Sequence, residues 1–521
     1  MPDTIPALLV AAADRDPGGE WLRTDEGRLS FAGAVGKVAG LAARLSEAGV
    51  RRGDLVVVTT RTTPPYLLCW LALTSLGAVT VPTDPAGTVD ELQGLIGQVR
   101  PRLVVSDDEL IPAIDRAGVG DLSELGVLDV HVLVPDWQLA EAGATALRTA
   151  VGPDDLAVLI PTSGTTGRSK LVMQTHRAYA MAGEGFPYWM ELTAADRLMT
   201  SLPLFHINAP AYSVLGSLAC GAGLVLLPRF SASGFLDSAR RHGATEFNAI
   251  GAMLEILMRQ PVRDDDATTD LRLCYTGPSP ERAWQESFEQ RFGLQIVCGY
   301  ALSESPYGLI WRHGTRPFGS LGAPRQHPTL GVVNEARVVD DDGVELGSGD
   351  TGELHLRNPV VTPGYWQMPE VTADTVVDGW LHTGDLVTVN DDDTYTFVAR
   401  RKEVLRRRGL NLSPTEVEDA IETHPAVLEV AVVGVPSELT EEEIKAFVVA
   451  APGQQLDFDV LHAWTAERLS AFKVPRFWQA VDALPRTATS RVAKHRLPTG
   501  HPPEEYDSEA SRRTPHPEDG P

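Results

Sequence analysis

The chain has 521 residues, a hydrophobic content of 43%, a charged content of 22% and a formal net charge of −25. These fractions are ordinary for a globular protein, and the length exceeds what one core supports, so we expect roughly two or three domains. The negative charge argues against nucleic acid or an anionic membrane as the main partner, because both require a basic face.

The four cysteines, Cys69, Cys220, Cys274 and Cys298, are scattered and form no C-x-x-C pair. We therefore expect reduced thiols in a cytoplasmic protein. The N-terminus shows no basic stretch followed by an apolar core, so no signal peptide is expected. Gly, Pro and Thr interrupt the uncharged stretches 66–82 and 206–228, which favours buried helix–strand pairs over membrane spans.

Predicted helices and strands alternate along residues 1–160. The predicted helices lie around 8–13 and over 31–48 and 64–77. The predicted strands lie over 55–58, 78–82, 103–105, 127–130 and 156–160. Strands that alternate with helices imply parallel sheets covered on both faces. We therefore expect this region to begin a large α/β domain.

The strand 156–160 leads into a loop of glycines and hydroxyl side chains that ends at a lysine. It reads Thr162-Ser163-Gly164-Thr165-Thr166-Gly167-Arg168-Ser169-Lys170. Glycines let the backbone present N–H groups to an anion, the hydroxyls add donors, and Lys170 adds a point charge. The loop suits a polyphosphate, although it is not the Walker pattern. On its own, such a sequence is more often only a loop.

The alternation continues to about residue 317 and then changes. Further helices are predicted over 175–183, 209–220 and 232–242, and further strands over 197–202, 223–227, 271–275 and 294–298. Strand-like segments joined by Asp/Gly turns follow at 332–339, 352–356, 386–389 and 395–398. These segments predict an antiparallel sheet or small barrel within about 317–399.

A basic run at Arg400 marks the clearest predicted domain boundary. Beyond it we predict helices over 414–422 and 458–468 and strands over 428–434 and 446–451. The predicted division is therefore an N-terminal domain over 1–399 and a small C-terminal domain over 400–500. Residues 501–521 are rich in Pro, Glu, Ser and Asp without apolar periodicity, which predicts a disordered tail.

Five further clusters of glycine, aromatic and charged residues stand after the loop at long intervals. They are Gly299-Tyr300-Ala301-Leu302-Ser303-Glu304, Gly379-Trp380-Leu381-His382-Thr383-Gly384-Asp385, Arg400-Arg401-Lys402-Glu403, Gly409-Leu410-Asn411-Leu412-Ser413-Pro414-Thr415-Glu416-Val417-Glu418 and Leu484-Pro485-Arg486-Thr487-Ala488-Thr489-Ser490-Arg491. In this order and spacing, they resemble the adenylate-forming (AMP-binding) superfamily of acyl-CoA and aryl-CoA ligases, nonribosomal adenylation domains and luciferases.

The resemblance covers about residues 5–500 and is nearest to bacterial CoA ligases of the carnitine/crotonobetaine and fatty-acid types. Supporting stretches are Pro203–Asn208, Glu443–Val449 and Phe472–Pro475. It implies an α/β fold, with a large N-terminal domain of parallel α/β sheets, a small barrel-like β subdomain, and a small mobile α+β C-terminal domain.

The resemblance also implies a reaction in two halves. A carboxylate attacks the α-phosphate of ATP, with Mg²⁺ present, and gives an acyl-adenylate and pyrophosphate. The C-terminal domain then rotates, and the thiol of CoA or a carrier protein displaces AMP.

Residue roles follow from the matching positions. The phosphate loop would supply Thr162, Ser163, Gly164, Thr165, Thr166, Gly167 and Lys170. Around the nucleotide, Tyr300 would stack near adenine, Ser303 would contact the α-phosphate, Glu304 would hold Mg²⁺, and Asp385 and Arg400 would bind ribose. Lys402 would be the hinge, and Phe205, His206, Asn208 and Ala301 would line the acid pocket, with Phe205 and His206 as its gate. The groups implied in catalysis are Lys170, His206, Glu304 and Arg491.

Each residue also has a simpler interpretation. Taken singly, Tyr300 is a core aromatic, Asp385 a turn residue and Arg400 part of a solvated basic face. The order of the motifs favours the family roles for Asp385, Glu304 and Arg400. For His206, a core histidine and a pocket gate stay about equally supported.

The sequence departs from the family pattern most at Arg491, where the family has a lysine that bridges the acid and the α-phosphate. Arginine is longer and planar, so the exchange is not conservative. Lys494 could substitute only if the loop register shifts. Ala301 in place of glycine should narrow the acid pocket, and Arg408 in place of glycine makes the thioester step less certain.

Three hypotheses remain. The leading one is an AMP-forming ligase that activates a small carboxylic acid and transfers it to CoA or a carrier thiol. The second is an ATP-dependent diazotase of specialised metabolism that activates nitrite for coupling to an aryl amine. The third is a nucleotide-binding homologue with little catalysis. Asn208 favours a polar or aromatic acid over a long chain, and nothing in the sequence indicates an oligomeric state.

Overall fold

The computed structural model describes residues 2–110, 126–138, 147, 151–162, 170–277, 279–401, 405–407, 410–436, 442–486, 492–502 and 505–508. The chain divides into two compact units. The first comprises Met1–Arg337, His355–Thr383 and Val389–Thr396, and the second comprises Val338–Leu354, Gly384–Thr388 and Phe397–Pro521. In the described ranges we find no helix with the length and apolar character needed to span a bilayer.

Ten helices of the first unit precede residue 300 in the described ranges. They are α1 Ile5–Arg15, α2 Phe31–Glu47, α3 Pro64–Leu76, α4 Val89–Val99, α5 Val130–Leu133, α6 His176–Trp189, α7 Leu215–Cys220, α8 Phe235–His242, α9 Gly251–Met258 and α10 Arg282–Phe292. Local sequence fixes their ends. Thr63 caps α3 ahead of two prolines, for example, and Gly77 ends it in the left-handed region with φ +72°.

The structure explains two of the differences between predicted and observed helix extents. The helix predicted over 175–183 continues to Trp189, because Gly183 is not a terminator: a Cβ there would lie 2.6 Å from Leu215 Cβ. Its small size lets α6 and α7 approach closely. The helix predicted over 209–220 begins with a π-helical segment, Ala209–Val214, in which the Leu215 N–H donates to the Pro210 carbonyl. Such segments occur frequently at functional sites.

A six-stranded sheet lies in the first unit. Its strands are β3 Leu55–Thr59, β4 Val79–Pro82, β5 Leu103–Ser106, β6 Gly126–Asp129, β7 Leu156–Thr162 and β8 Lys170–Thr175, in the order β6-β5-β3-β4-β7-β8. All neighbours are parallel except β7 and β8, which form an antiparallel pair. The parallel strands predicted between residues 55 and 160 are confirmed.

The first unit also contains a nine-stranded sheet. Its strands are β1 Glu20–Arg23, β2 Arg28–Ser30, β9 Arg197–Thr200, β10 Gly223–Leu226, β11 Glu246–Asn248, β12 Leu273–Thr276, β13 Gln295–Leu302, β14 Ser305–Ile310 and β15 Ala323–Pro324. The order is β15-β14-β13-β12-β11-β9-β10-β1-β2. Strands β1 and β9 to β13 are mutually parallel, so the carboxyl ends of β9, β11, β12 and β13 lie at one edge. Ligands bind at such edges in α/β sheets.

The β-rich segment predicted at about 317–399 is confirmed as strands. They are β16 Glu335–Val339, β17 Thr351–Arg357, β18 Val376–Val377, β19 Trp380–Val389 and β20 Tyr395–Arg400. They form a five-stranded sheet, and the short helix α11 Pro369–Thr375 lies between β17 and β18 in the chain.

The C-terminal part of the second unit is α+β, as predicted. It holds the strands β21 Leu405–Arg407, β22 Leu410–Leu412, β23 Val427–Pro436, β24 Glu442–Ala450, β25 Phe477–Ala480 and β26 Tyr506–Asp507 and the helices α12 Pro414–Glu422 and α13 Phe458–Ala466. Strand β26 falls within the predicted disordered tail. It is ordered by an antiparallel pairing with β25 and by the ion pair of Asp507 with Arg476, at 2.9 Å. Residues 509–521 lie outside the described ranges.

Candidate active site

The two ends of the phosphate loop predicted at 162–170 lie opposite each other in a pair of antiparallel strands. Thr162, the last residue of β7, is the cross-strand partner of Lys170, the first residue of β8. The Thr162 Oγ1 hydroxyl donates to the Lys170 carbonyl at 3.2 Å. The hairpin therefore fixes both ends of the loop. Ser163, Gly164, Thr165, Thr166 and Gly167 lie outside the described residues.

The second predicted cluster lies at the carboxyl end of β13. Tyr300 and Ala301 belong to that strand, and Ser303 and Glu304 form the turn into β14. Tyr300 to Glu304 are partly exposed, whereas β14 is buried throughout. Gly308 permits this turn, because a Cβ there would lie 2.1 Å from the Tyr300 carbonyl oxygen.

Two contacts fix the turn that carries Ser303 and Glu304. The amide of Gln174, a fully buried residue of β8, donates to the Ser303 carbonyl. The N–H of Thr362 donates to the Glu304 carbonyl at 2.7 Å. Strand β8 and the turn after β13 are thus held together, although they belong to different sheets.

Tyr365, which the sequence did not single out, contacts two of the predicted nucleotide-binding groups. Its hydroxyl donates to Glu304 Oε1 at 2.8 Å, and the Lys170 Nζ lies 5.1 Å from its ring centroid. The structure thus brings Lys170 and Glu304 to one place around a common aromatic ring. The other oxygen, Glu304 Oε2, makes no hydrogen bond to a described residue.

The predicted acid pocket begins with an aromatic pair. Phe205 and His206 contact edge to face, with ring centroids 4.4 Å apart. Both side chains are partly exposed, and they lie just before the π-helical segment. His206 is therefore not a fully buried core histidine, which is consistent with the predicted gate.

Asn208 is hydrogen-bonded to a second asparagine. The side-chain amide of Asn248, at the carboxyl end of β11, donates to Asn208 Oδ1 at 2.7 Å. Asn248 is 1% exposed, and its Oδ1 has no hydrogen-bond partner among the described residues. Sequence reasoning missed Asn248 because it stands on a three-residue strand without a motif.

A buried guanidinium supports the strand that follows Glu304. Arg325 is 1% exposed and donates from Nε to the Leu309 carbonyl at 3.1 Å and from Nη1 to the Pro306 carbonyl at 3.0 Å. It also donates to the hydroxyls of Tyr212, at 2.8 Å, and Tyr275. Arg325 therefore ties β14 to the helical layer beside the predicted acid pocket.

The predicted ribose-binding pair lies in the second unit. Arg400 Nε is 2.6 Å from Asp385 Oδ1, and the Asp385 side chain is fully buried. The preceding residue, Gly384, donates its N–H to Glu353 Oε1 at 3.0 Å and accepts from the Arg401 N–H at 2.8 Å. Asp385 and Arg400 are thus held side by side.

Three residues at the domain boundary and the C-terminal motif, Lys402, Arg408 and Arg491, lie outside the described residues. Lys494, the potential substitute for the missing lysine, pairs with Glu418 Oε1 at 2.8 Å. Burial and the neighbouring carboxylates Glu418 and Glu416 raise the pKa of Asp419 to about 6. Lys494 is therefore engaged by an acidic cluster of the second unit.

Two protein-family models match this chain. The family described as AMP-binding enzyme matches residues 9–366, and the AMP-binding enzyme C-terminal domain matches residues 416–491. A crotonobetaine/carnitine–CoA ligase of Salmonella paratyphi C is 30% identical over 468 residues, which cover 86% of this chain and 89% of the relative.

Solved structures are similar over nearly the whole chain. ATP-bound MatB from Rhodopseudomonas palustris is 28% identical, with a TM-score of 0.84 and coverage of 95% of this chain and 98% of MatB. The anthranilate CoA ligase AuaEII, in complex with anthranoyl-AMP, is 25% identical, with a TM-score of 0.82 and coverage of 94% and 95%.

Proposed function

The chain belongs to the AMP-binding enzymes, and from this membership we propose that it ligates a small carboxylic acid bearing a hydrogen-bonding substituent to coenzyme A. The enzyme is an adenylate-forming ligase: it activates a carboxylate with ATP to an acyl-adenylate and then transfers the acyl group to CoA. ATP, Mg²⁺ and CoA are its cosubstrates and cofactor.

The contacts of Tyr365 with Lys170 and Glu304 support the proposed ATP-binding roles of these two charged residues. An ammonium suits phosphate oxygens, and a partly exposed carboxylate suits a hard cation. Glu304 Oε2 makes no hydrogen bond to a described residue, so Glu304 fits a Mg²⁺ ligand. Mg²⁺ bound there would neutralise charge on the phosphates of ATP.

The other nucleotide-binding roles are part of the same proposal. Tyr300 stacks near the adenine and Ser303 contacts the α-phosphate, while Asp385 and Arg400 bind the ribose hydroxyls. The hydroxyl of Thr162 contacts the β- and γ-phosphates, and the same role for the loop residues 163–167 stays a prediction, because they lie outside the described residues. Lys402 as hinge and Arg491 as the charge near the α-phosphate stay predictions, since both lie outside the described residues.

The amide pair of Asn208 and Asn248 supports the choice of acid. The hydrogen bond between the two amides uses the NH₂ group of one and the C=O group of the other, whichever way they are oriented. The remaining NH₂ group and the remaining C=O group take no part in this bond. A buried amide without partners costs about 1–3 kcal/mol. A substrate hydroxyl or carboxamide both donates and accepts, so it satisfies the pair, whereas an alkyl chain does not.

A comparison of matched acids tests the substrate class. Butyrate and 3-hydroxybutyrate, with a carboxamide acid of similar length, are assayed for ATP-dependent pyrophosphate release with CoA. We expect kcat/KM for the polar acids to exceed that for butyrate by at least about tenfold, the effect of one satisfied hydrogen bond. Asn208→Leu should remove that preference and leave ATP binding unchanged. Equal use of butyrate by the wild type would refute the proposed class.

The two alternative functions gain no support from the described residues. The Salmonella relative and AuaEII are named as CoA ligases, and neither name involves nitrite or an aryl amine as a coupling partner. The diazotase hypothesis therefore stays a prediction, tested by adding nitrite and an aryl amine to the same assay.

A further inference from the structure

Tyr365 contacts two oppositely charged groups that come from different sheets. Lys170 begins β8 of the six-stranded sheet, and Glu304 follows β13 of the nine-stranded sheet. We infer that Tyr365 is a positioning residue that orients Lys170 and Glu304 for MgATP. This inference rests on the proposed roles of those two residues, and it adds a group that neither the motifs nor the comparisons assign.

The backbone of Tyr365 is fixed against the strand that carries Lys170. Tyr365 forms an antiparallel bridge with Val172, and the flanking bonds join Met173 N–H to the Gly364 carbonyl and Trp366 N–H to the Leu171 carbonyl, each at 2.9 Å. Gly364 has φ +135°, a conformation that favours glycine. The segment 364–366 therefore runs along β8 and cannot shift independently of it.

The same segment is also tied to the turn that carries Glu304. Two hydrogen bonds fix Thr362: its N–H donates to the Glu304 carbonyl at 2.7 Å, and its Oγ1 donates to the Met173 carbonyl at 2.6 Å. The Tyr365 side chain, 6% exposed, projects from this doubly anchored segment to both charged groups. Tyr365 is thus held from both sides before any ligand arrives.

The two contacts act on the two charges differently. A phenol O–H donating to a carboxylate is a charge-assisted bond, and it occupies Glu304 Oε1 while Oε2 makes no hydrogen bond to a described residue. The face of the ring attracts the Lys170 ammonium. Each charge thus has a partner on the same tyrosine, and ATP or Mg²⁺ can supplement that partner.

Binding of ATP with and without Mg²⁺ separates the two contacts. Tyr365→Phe keeps the ring and loses the hydroxyl, whereas Tyr365→Leu loses both; calorimetry measures the Kd of ATP in excess Mg²⁺ and in EDTA. Tyr365→Phe should weaken ATP binding about tenfold with Mg²⁺ and less than about twofold in EDTA, because only the metal-side carboxylate is disturbed. Tyr365→Leu should weaken binding under both conditions.

A matched control and a second variant make the result decisive. Tyr395→Phe removes the hydroxyl of another largely buried tyrosine, bonded to the Ala336 carbonyl at 3.5 Å, and should change neither Kd. In a Glu304→Gln background, Tyr365→Phe should add less than about a twofold change, since the phenol acts through the carboxylate.

Two results would overturn the inference: an unchanged Kd in Tyr365→Phe, or an equal loss with Mg²⁺ and in EDTA, which a merely structural role would give. The melting temperature of each variant identifies misfolding, and Tyr365→Phe decides the question even where Tyr365→Leu fails to fold. If the wild type binds MgATP but releases no pyrophosphate with any acid, the proposed function fails, and the binding comparison still tests Tyr365.

Discussion

His176 begins α6 directly after the strand that carries Lys170, and it is fully buried with no hydrogen-bond partner for either ring nitrogen among the described residues. Burial lowers the pKa of His176 from 6.5 to about 4, although the carboxylate of Asp155 acts in the opposite direction. The folded protein therefore resists protonation that the unfolded chain accepts. Its stability should be complete above pH 6.5 and should fall as the pH drops from 6.5 towards 4.

The size of the effect follows from these two pKa values. Each pH unit between them costs about 1.4 kcal/mol, so lowering the pH from 7 to 4.5 should cost about 2.5 kcal/mol through His176 alone. His176→Leu removes the titrating group at similar volume. We expect the variant to lose about 2.5 kcal/mol less than the wild type over this interval.

Urea unfolding at pH 7 and pH 4.5 measures the difference between the two proteins. Comparing their pH dependences cancels the contributions of the other titrating groups. If His176→Leu and the wild type lose the same free energy of unfolding between pH 7 and pH 4.5, the imidazole of His176 is not buried in its neutral form. The attachment of α6 to the Lys170 strand would then be wrong.

Three further expectations concern other charged groups. Asp385→Ala should abolish detectable ATP binding in calorimetry by removing the proposed ribose anchor, and wild-type affinity would contradict that role. Arg491→Lys should raise the rate of pyrophosphate release if the site only drifted from the family's chemistry, whereas a lower rate would show that arginine is adapted to this enzyme's own reaction. Burial raises the pKa of Glu246 well above 4.5, so above pH 4.5 the unfolded chain releases this proton while the folded protein keeps it, and stability falls as the pH rises. Glu246→Gln should lessen the fall in urea stability above pH 4.5 by up to about 1.4 kcal/mol per pH unit, and an unchanged slope would contradict the buried neutral carboxyl.

Most of the fold could be predicted from the sequence, because hydrophobic periodicity and turn residues are local signals. The exceptions are informative. Gly183 reads as a helix end but is a packing position against Leu215, and the π-helical turn at 209–214 has no distinctive pattern. The second unit includes Val338–Leu354 and Gly384–Thr388, which precede the predicted boundary at 399. They belong to that unit through contacts with residues distant in sequence, which no local sequence pattern predicts. The division into domains itself stays a prediction.

The site was predictable where a motif concentrates its residues and not where it depends on distant contacts. Lys170 and Glu304 stand in motifs, and the structure brings both to one aromatic ring. Tyr365 and Asn248 were missed, because their partners lie far away in sequence and become neighbours only when the sheets assemble. The local signal available for Tyr365 was its place after Pro363-Gly364 within the predicted β-rich segment.

The most direct test is ATP-dependent product formation across two panels, with AMP, pyrophosphate and the organic product identified by mass spectrometry. One panel holds small polar and apolar carboxylic acids with and without CoA, and the other holds nitrite with and without aryl amines. We expect pyrophosphate and AMP only with a carboxylic acid, and a thioester only when CoA is added. Release that requires nitrite and yields a nitrogen-coupled product, or none in either panel while ATP still binds, would contradict the ligase function.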